Sequence, residues 1–482
     1  MRSAWLLSAF LVLGAAGCIG FYFLTAQFGT FAAAFLLLSV LPILIAVVWA
    51  QRKLRVLQEN LAWWQVLWIL LFLSEITGLR VRTIRDIEQT VVDSWAICRI
   101  ILVGIVAFVL ASRLALRKTA WIGSLLRGLV AAIAIYALIS AGSTLWSAYP
   151  AWTLYKSLEY LVDVTLLAAI LATVSTTESY KWLFDCTYTL YGLLLACVWL
   201  GAVLWPNEAF QPTPGLLQLQ LIGTVPEVAA NSVGQYSGVL AIVALTRLLF
   251  GAFRRHTGRV WYCLLLIGSL ITLTLSQTRS AVAGFLAALV VVSLLSERKG
   301  AKAVLSLTAV TLLLTPFYSV FWTYIRRGQD PQLWNTLSGR LEYWEFAWKK
   351  FAEEPLIGYG GYAAGRFVVL AGIGDQLTSS VHNTYIEILV GVGLLGLIPV
   401  LVALLGGWWF LIGAARNFSL VPFDRQLALE AAGILATLTV RSFFTTELIW
   451  HPPLFFLLVL GYAEFLRRRS QFKPRGALQP EF

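Results

Sequence analysis

The chain is divided into apolar stretches long enough to cross a bilayer, and this division constrains the fold more than any other feature. A crossing requires about 20 apolar residues. By this criterion, helices are predicted near 4–24, 30–50, 61–78, 95–112, 121–141, 154–173, 182–205, 231–250, 260–276, 280–296, 303–323, 383–413, 427–446 and 453–466. The sequence therefore predicts an all-α, polytopic membrane bundle of about 12 to 14 transmembrane helices.

Composition supports this class. Hydrophobic residues make up 59% of the chain and charged residues only 12%, which excludes an ordinary water-soluble domain. The net charge of +12 arises from short basic clusters between the apolar stretches, as in cytoplasmic loops. The bilayer is therefore the expected partner, and nucleic acid is not. The five cysteines have no ligand spacing and indicate neither a disulfide framework nor a metal site.

Basic residues also predict the orientation. The basic clusters fall in loops on the same side as both termini, which the positive-inside rule assigns to the cytoplasm. These clusters are Arg52 to Arg55, Arg113 to Lys118, Arg254 to His256, Glu297 to Lys299, Arg416 with Arg425, and Arg467 to Arg469. The segment 324–382 then faces outward. Leu79 to Asp86 carries three arginines on the same outer side, which leaves two explanations open: a miscounted helix, or binding of an anionic group.

Two arginines mark the outer side as a candidate site. Arg279 follows Ser276-Gln277-Thr278 at the outward end of two apolar helices, where it must pair, reach the interface or bind an oxyanion. Arg340 opens a predicted amphipathic surface helix, with Ser338 as a candidate N-cap. The alternatives are a lipid headgroup anchor for Arg279 and an interfacial anchor for the Arg340 helix.

His382 stands directly before the long apolar stretch that begins near Asn383. The positive end of a helix dipole disfavours imidazolium, so the ring is expected to be neutral and available as a base. The same N-terminus favours an anionic ligand. A purely structural histidine is the alternative. No cluster of acidic residues suited to Mg²⁺ or Zn²⁺ stands on the outer side, so the sequence favours a metal-independent mechanism with no cofactor.

Gly391-Val392-Gly393-Leu394-Leu395-Gly396 matches the dinucleotide-binding fingerprint as a string of letters. It lies within an apolar helix, with no preceding strand and no βαβ unit, so dinucleotide binding is excluded. Close packing of helices through small residues is the better interpretation.

Taken together, these motifs resemble the O-antigen ligase and polymerase superfamily of bacterial inner-membrane enzymes. The resemblance covers about residues 215–410. The residues that carry it are Ser276 to Arg279, Gly339-Arg340 with Trp344, Pro355 to Gly360, His382 to Tyr385, and Gly391 to Gly396.

The resemblance implies transfer of a glycan from undecaprenyl diphosphate to a glycan, lipid or protein acceptor at the periplasmic face. It implies that Arg279 and Arg340 hold the donor diphosphate and that His382 is the base. The expected substrate-binding set adds Tyr343, Trp344, Asn383 and Tyr385 from the same motifs. Arg80 and Arg82 are included because their charge suits a diphosphate, without a motif match.

The expected organisation has three parts. Residues 1–214 form N-terminal transmembrane helices, 215–413 a ligase-like catalytic region with the periplasmic loop 324–382, and 414–482 C-terminal helices with a basic tail. The expected location is the bacterial inner membrane, with both termini cytoplasmic. Two other functions are considered: a transporter or flippase for anionic lipid-linked substrates, which would need an internal repeat and mid-membrane charges, and a non-catalytic scaffold.

Overall fold

The computed structural model describes residues 62–471, except 81, 83, 91, 117–121, 215, 252–255, 298, 314, 376 and 418–421. The first two predicted spans, near 4–24 and 30–50, lie outside the described residues. The α-helices are Trp63–Ile76, Ile84–Gln89, Ser94–Leu116, Ile122–Leu125, Gly128–Gly142, Pro150–Thr173, Thr177–Leu204, Pro206–Ala209, Ala230–Phe250, His256–Leu275, Arg279–Leu295, Lys299–Leu313, Thr315–Arg326, Pro331–Asn335, Arg340–Glu353, Thr384–Arg416, Pro422–Arg441 and Leu454–Gln471.

The prediction of an all-α polytopic bundle is confirmed. Among the described residues, six helices are long and apolar enough to cross a membrane: Ser94–Leu116, Gly128–Leu145, Thr177–Leu204, Ala230–Phe250, Gly258–Leu275 and Thr384–Arg416. Trp63–Ile76 and Arg279–Leu295 are shorter apolar helices. The protein is therefore a multi-pass membrane protein.

Two predicted helices are divided in the structure. The stretch 303–323 belongs to two helices, Lys299–Leu313 and Thr315–Arg326. Pro316 is the second residue of the latter, a position that tolerates the missing N–H. The stretch 121–141 is interrupted before Gly128, whose φ is +66°. A Cβ on Gly128 would lie 2.2 Å from a carboxylate oxygen of Glu464, so this break requires glycine.

The segment 206–230 is less irregular than its prolines suggest. After the short helix Pro206–Ala209, strand Phe210–Pro212 pairs antiparallel with Leu219–Leu221, and Gly223–Thr224 pairs with Glu227–Val228. These two hairpins cover the helix ends at the face that carries His382.

The loops sort onto two faces. On the face of His382, Arg80 forms an ion pair with Glu227 at 3.7 Å, and the Ala148 amide donates to the Tyr359 carbonyl at 2.9 Å. On the opposite face, Arg468 donates to Ser124 at 3.2 Å. The arginine-rich segment after Leu79 therefore lies on the same face as His382, which removes the miscounted helix as its explanation.

The glycine string in the helix Thr384–Arg416 marks an interruption of that helix. Gly393 has φ +62° and ψ −159°, and the segment Pro355 to Gly360 packs against this break. The Tyr359 amide donates to the Val390 carbonyl and the Gly360 amide to the Gly391 carbonyl, each at 2.8 Å. A Cβ on Gly393 would lie 2.2 Å from the backbone of Leu356. The small residues thus permit backbone pairing between two motifs that are far apart in the chain.

Candidate functional site

Arg279 begins the helix Arg279–Leu295 and reaches across to the segment after residue 327. Its Nη2 donates to Ser338 Oγ at 2.9 Å, and its guanidinium lies 5.2 Å from the Trp334 ring centre. Ser338 therefore does not cap the following helix, as the sequence suggested. The N-cap position is Gly339, without a side-chain hydrogen bond, because the Ser338 hydroxyl is engaged by Arg279.

Arg340 is the first residue of the surface helix Arg340–Glu353. The preceding residues Leu337, Ser338 and Gly339 all have positive φ, between 50° and 84°, so the chain turns sharply into this helix. Desolvation, together with repulsion from Arg279 and Arg441, lowers the pKa of Arg340 to about 10. Arg340 remains charged at neutral pH, and Arg279 and Arg441 are the guanidinium groups that repel it.

Arg327 and Arg441 complete what we call the arginine cluster: Arg279, Arg327, Arg340 and Arg441. Arg327 repels Arg279 electrostatically and donates to Gln220 at 3.2 Å. Arg441 is 1% exposed, forms an ion pair with Glu447 and donates to Ser280 at 3.3 Å. Sequence reasoning missed both residues, although Arg327 belongs to an Arg-Arg-Gly run and Arg441 ends an apolar stretch.

His382 lies beside the arginine cluster, just before the helix Thr384–Arg416. Its φ is +55°, a left-handed conformation that is uncommon for histidine and indicates local constraint. Desolvation and repulsion from Arg340 lower the pKa of His382 to about 4, with partial opposition from Asp375. The ring is therefore neutral at neutral pH and can accept a proton.

The surface helix contacts the segment that leads to His382 through Trp344 and Tyr343. The Trp344 indole N–H donates to the Val381 carbonyl at 2.9 Å, and the Tyr343 hydroxyl donates to Asp375 at 2.7 Å. Burial alone would raise the pKa of Asp375, but hydrogen bonds from Thr378 and Tyr343 hold it at about 2. These two aromatic side chains thus orient the segment that carries His382.

Asn383 and Tyr385 are also engaged within the protein. The Asn383 side chain caps the helix by accepting from the Tyr385 and Ile386 amides at 2.9 and 3.1 Å. The Tyr385 hydroxyl accepts from Ser442 at 2.8 Å. The structure gives both residues a positioning contact, and any contact with substrate stays a prediction.

Arg80 and Arg82 lie elsewhere on the same face. They line a cavity of about 450 Å³ whose wall includes no member of the arginine cluster. Arg80 pairs with Glu227 and Arg82 pairs with Asp93 at 3.4 Å. The structure therefore brings Arg279, Arg340 and His382 together and places Arg80 and Arg82 at a separate cavity.

A buried polar network borders this cavity, and sequence reasoning missed it. His451 Nδ1 lies 2.8 Å from both carboxylate oxygens of Asp163, and its Nε2 lies 2.9 Å from Ser74 Oγ. Lys156 and Glu159, on the same helix as Asp163, form an ion pair at 2.7 Å. The sequence did contain a signal for this network, because Lys156, Glu159 and Asp163 recur at helical spacing within the apolar stretch 154–173. In the described part of the chain, no group of three or more His, Cys, Asp or Glu residues could hold a metal ion.

The fold and this site define a multi-pass membrane protein with a cationic, histidine-containing site at one face. Residues 263–401 match the O-antigen ligase family, so this region of the chain is similar to the O-antigen ligase and polymerase superfamily. The match covers less than a third of the chain and includes Arg279, Arg327, Arg340 and His382, but not Arg441. No curated protein matches the chain. The family implies a ligase- or glycosyltransferase-like activity in O-antigen ligation or polymerisation.

Proposed function

We propose that the protein transfers or polymerises a glycan from undecaprenyl diphosphate onto an acceptor hydroxyl, at the periplasmic face of the bacterial inner membrane and without a metal ion. The observation that carries the proposal is that hydrogen bonds join Arg279 to the turn before Arg340, and the helix of Arg340 to the residue before His382, all within the family-matched region. Surface polysaccharide synthesis is the process that this reaction would serve.

In the proposed reaction, the acceptor hydroxyl oxygen attacks the anomeric carbon of the donor sugar. The bond from that carbon to the diphosphate oxygen breaks, and undecaprenyl diphosphate leaves with the electron pair. His382 takes the hydroxyl proton as the new glycosidic bond forms. Arg279, Arg327 and Arg340 hold the diphosphate, because guanidinium groups stay charged and offer paired donors to phosphate oxygens. Their positive charge stabilises the charge that develops on the leaving group.

The orientation is supported by the distribution of basic residues. Arg467, Arg468 and Arg469 lie at the face opposite His382, where Arg468 contacts Ser124 and Arg469 contacts Thr177. The positive-inside rule assigns that basic face to the cytoplasm. His382 then faces the periplasm, where lipid-linked glycans and their acceptors would meet.

The test is transfer by the purified full-length protein, with an undecaprenyl-diphosphate-linked glycan as donor and candidate acceptors supplied separately. We expect glycosidic bond formation by the wild type and a loss of at least 100-fold in His382→Ala. Movement of intact donor across proteoliposomes without bond cleavage would instead favour the flippase alternative. Retained transfer in a folded His382→Ala protein would contradict the assigned base.

Deletion of the gene separates ligation from polymerisation. Loss of a ligase should leave full-length chains on the lipid carrier, whereas loss of a polymerase should leave single repeat units on the carrier or the surface. Surface glycans and lipid-linked glycans resolved by size provide the measurement.

A further inference from the structure

The cavity that contains Arg80 and Arg82 has the size and polarity of a ligand site. Its volume of about 450 Å³ falls within the usual range of small-molecule pockets. The helices Trp63–Ile76, Ser94–Leu116 and Pro150–Thr173 contribute to its wall, as do residues 447 and 450–456. Trp95, Trp152 and Trp450 supply aromatic surface beside charged groups.

The cavity wall carries more basic groups than carboxylates. The lining cations are Arg80, Arg82, Arg99, Lys156 and Arg366, and the lining carboxylates are Glu75, Asp93 and Glu447. Each of these carboxylates already has a partner: Glu75 accepts from Tyr191 and Tyr236, Asp93 pairs with Arg82, and Glu447 pairs with Arg441. Glu159 is shared between Lys156 at 2.7 Å and Arg99 at 3.6 Å.

Arg366 is the group in the cavity wall that is best placed to bind an anion. Its side chain is buried, at 4% exposure, and it is attracted electrostatically by the buried carboxylate of Glu387, but no carboxylate among the described residues forms an ion pair with it. The guanidinium lies 5.1 Å from the Trp152 ring centre, and Lys156 lies 5.4 Å from the same ring. Burial of an arginine is costly when its charge is only partly balanced, so a bound anion would stabilise Arg366 in this wall. Trp450 lines the same wall, and its buried indole N–H has no hydrogen-bond partner among the described residues.

The cavity wall also contacts the proposed reaction site. Arg366 Nε donates to the Ser379 carbonyl at 2.9 Å, three residues before His382. Glu447, in the wall, pairs with Arg441 of the arginine cluster. The wall of the cavity is therefore connected to the groups that would carry out transfer, through Ser379 to His382 and through Glu447 to Arg441.

We propose that this cavity binds an acidic saccharide portion of the glycan substrate, through an anionic carboxylate or phosphate group held by Arg366 and Lys156. Tryptophan faces pack against the apolar faces of sugar rings, and the unpartnered Trp450 N–H supplies a donor for a sugar oxygen. This inference rests on the proposed glycan transfer, since it assigns the substrate class of the same enzyme.

The test is direct binding to the purified full-length protein in phosphatidylcholine nanodiscs. One probe pair is a tetrasaccharide that contains glucuronic acid and its carboxyl-reduced counterpart, and the other is glucose 6-phosphate and glucose. We expect at least one acidic probe to bind at least tenfold more tightly than its neutral counterpart. Arg366→Gln and Lys156→Met should each weaken that binding at least tenfold, whereas the exposed control Arg326→Gln should change it less than twofold.

Trp450→Phe tests binding in a variant that should fold normally, because it removes an N–H without a partner among the described residues and keeps an aromatic ring. We expect an unchanged melting temperature and binding weakened at least threefold. Equal binding of acidic and neutral probes would overturn the inference. So would full competition by inorganic pyrophosphate, which would assign the cavity to the donor diphosphate, or by phosphatidylglycerol in the nanodiscs, which would assign it to a lipid headgroup.

The binding assay needs no turnover, so its result can contradict the assignment of the cavity without bearing on the proposed glycan transfer. His382→Ala should bind the acidic probe within twofold of the wild type. Loss of transfer with intact probe binding would count against the base alone, and normal transfer without acidic binding would count against the cavity alone.

Discussion

The indole nitrogen of Trp344 lies 2.9 Å from the carbonyl oxygen of Val381, so the surface helix that begins at Arg340 is bonded to the residue directly before His382. This hydrogen bond fixes the diphosphate-binding and proton-accepting groups of the proposed mechanism relative to each other. Trp344→Phe should therefore lower kcat roughly fivefold to tenfold with little change in KM, since one net hydrogen bond contributes about 1 kcal/mol.

Trp348→Phe is the matched control for this change. Trp348 lies one turn further along the same helix and is 51% exposed, with no hydrogen bond from its indole N–H to a described residue. Its replacement should leave kcat within twofold of the wild type. Equal losses in the two variants would indicate damage to the helix instead of loss of the contact with Val381.

Replacement of His382 by glycine should separate activity from stability. The residue has φ +55°, which costs a histidine about 1 kcal/mol and a glycine almost nothing. The added backbone freedom of glycine in the unfolded chain offsets this gain by about 0.5–1 kcal/mol. We expect a melting temperature close to that of the wild type and a loss of transfer of at least 100-fold. A large drop in melting temperature would mean that the imidazole is mainly structural.

The pH dependence of transfer follows from the lowered pKa of His382. Burial and Arg340 reduce that pKa from 6.5 to about 4, so the neutral, proton-accepting ring persists as the pH falls. At pH 5.5 nearly all of the ring is still neutral, whereas an unperturbed imidazole would be roughly nine-tenths protonated. The acid limb of kcat/KM should therefore appear below about pH 5. A limb between pH 6 and 7, in protein that stays folded, would contradict the assigned environment.

Arg326 and Arg327 offer a paired test of the arginine cluster. Arg327 contacts Gln220 and lies beside Arg279, whereas its neighbour Arg326 is exposed and stacks on Trp322. Arg327→Lys should reduce transfer at least tenfold, because a lysine ammonium cannot reproduce the paired donors of a guanidinium. Arg326→Lys should retain activity within twofold. The measurement is the initial rate of glycan transfer at saturating and at limiting donor.

Many of the helices were predictable because a membrane span is a local property of the sequence. About 20 apolar residues satisfy their own backbone hydrogen bonds in lipid, so spans such as 95–112 and 231–250 appear in the structure as Ser94–Leu116 and Ala230–Phe250. The divided stretches 121–141 and 303–323 were not predictable in this way, since a break of one or two residues barely changes the average hydropathy.

The candidate site was predictable only in part. Arg279, Arg340 and His382 could be selected because they carry recognisable local motifs, and polar residues between spans are conspicuous. Arg441 and Arg366 could not be selected, because nothing in the local sequence distinguishes them from other arginines near a helix or loop boundary. Their roles become visible only when their neighbours in space are known. Arg441 reaches Ser280 across 161 residues of chain, and such a contact leaves no local pattern.

The sequence by itself determined a multi-span helical protein, the arginines that lie between its spans and a resemblance to O-antigen ligases and polymerases. Only the tertiary structure decided which cations share a site, because electrostatic interactions depend on distances between helices that are far apart in the chain. That arrangement sets Arg279 and Arg340 beside a neutral His382, and Arg80 and Arg82 around a second cavity with Arg366 and Lys156.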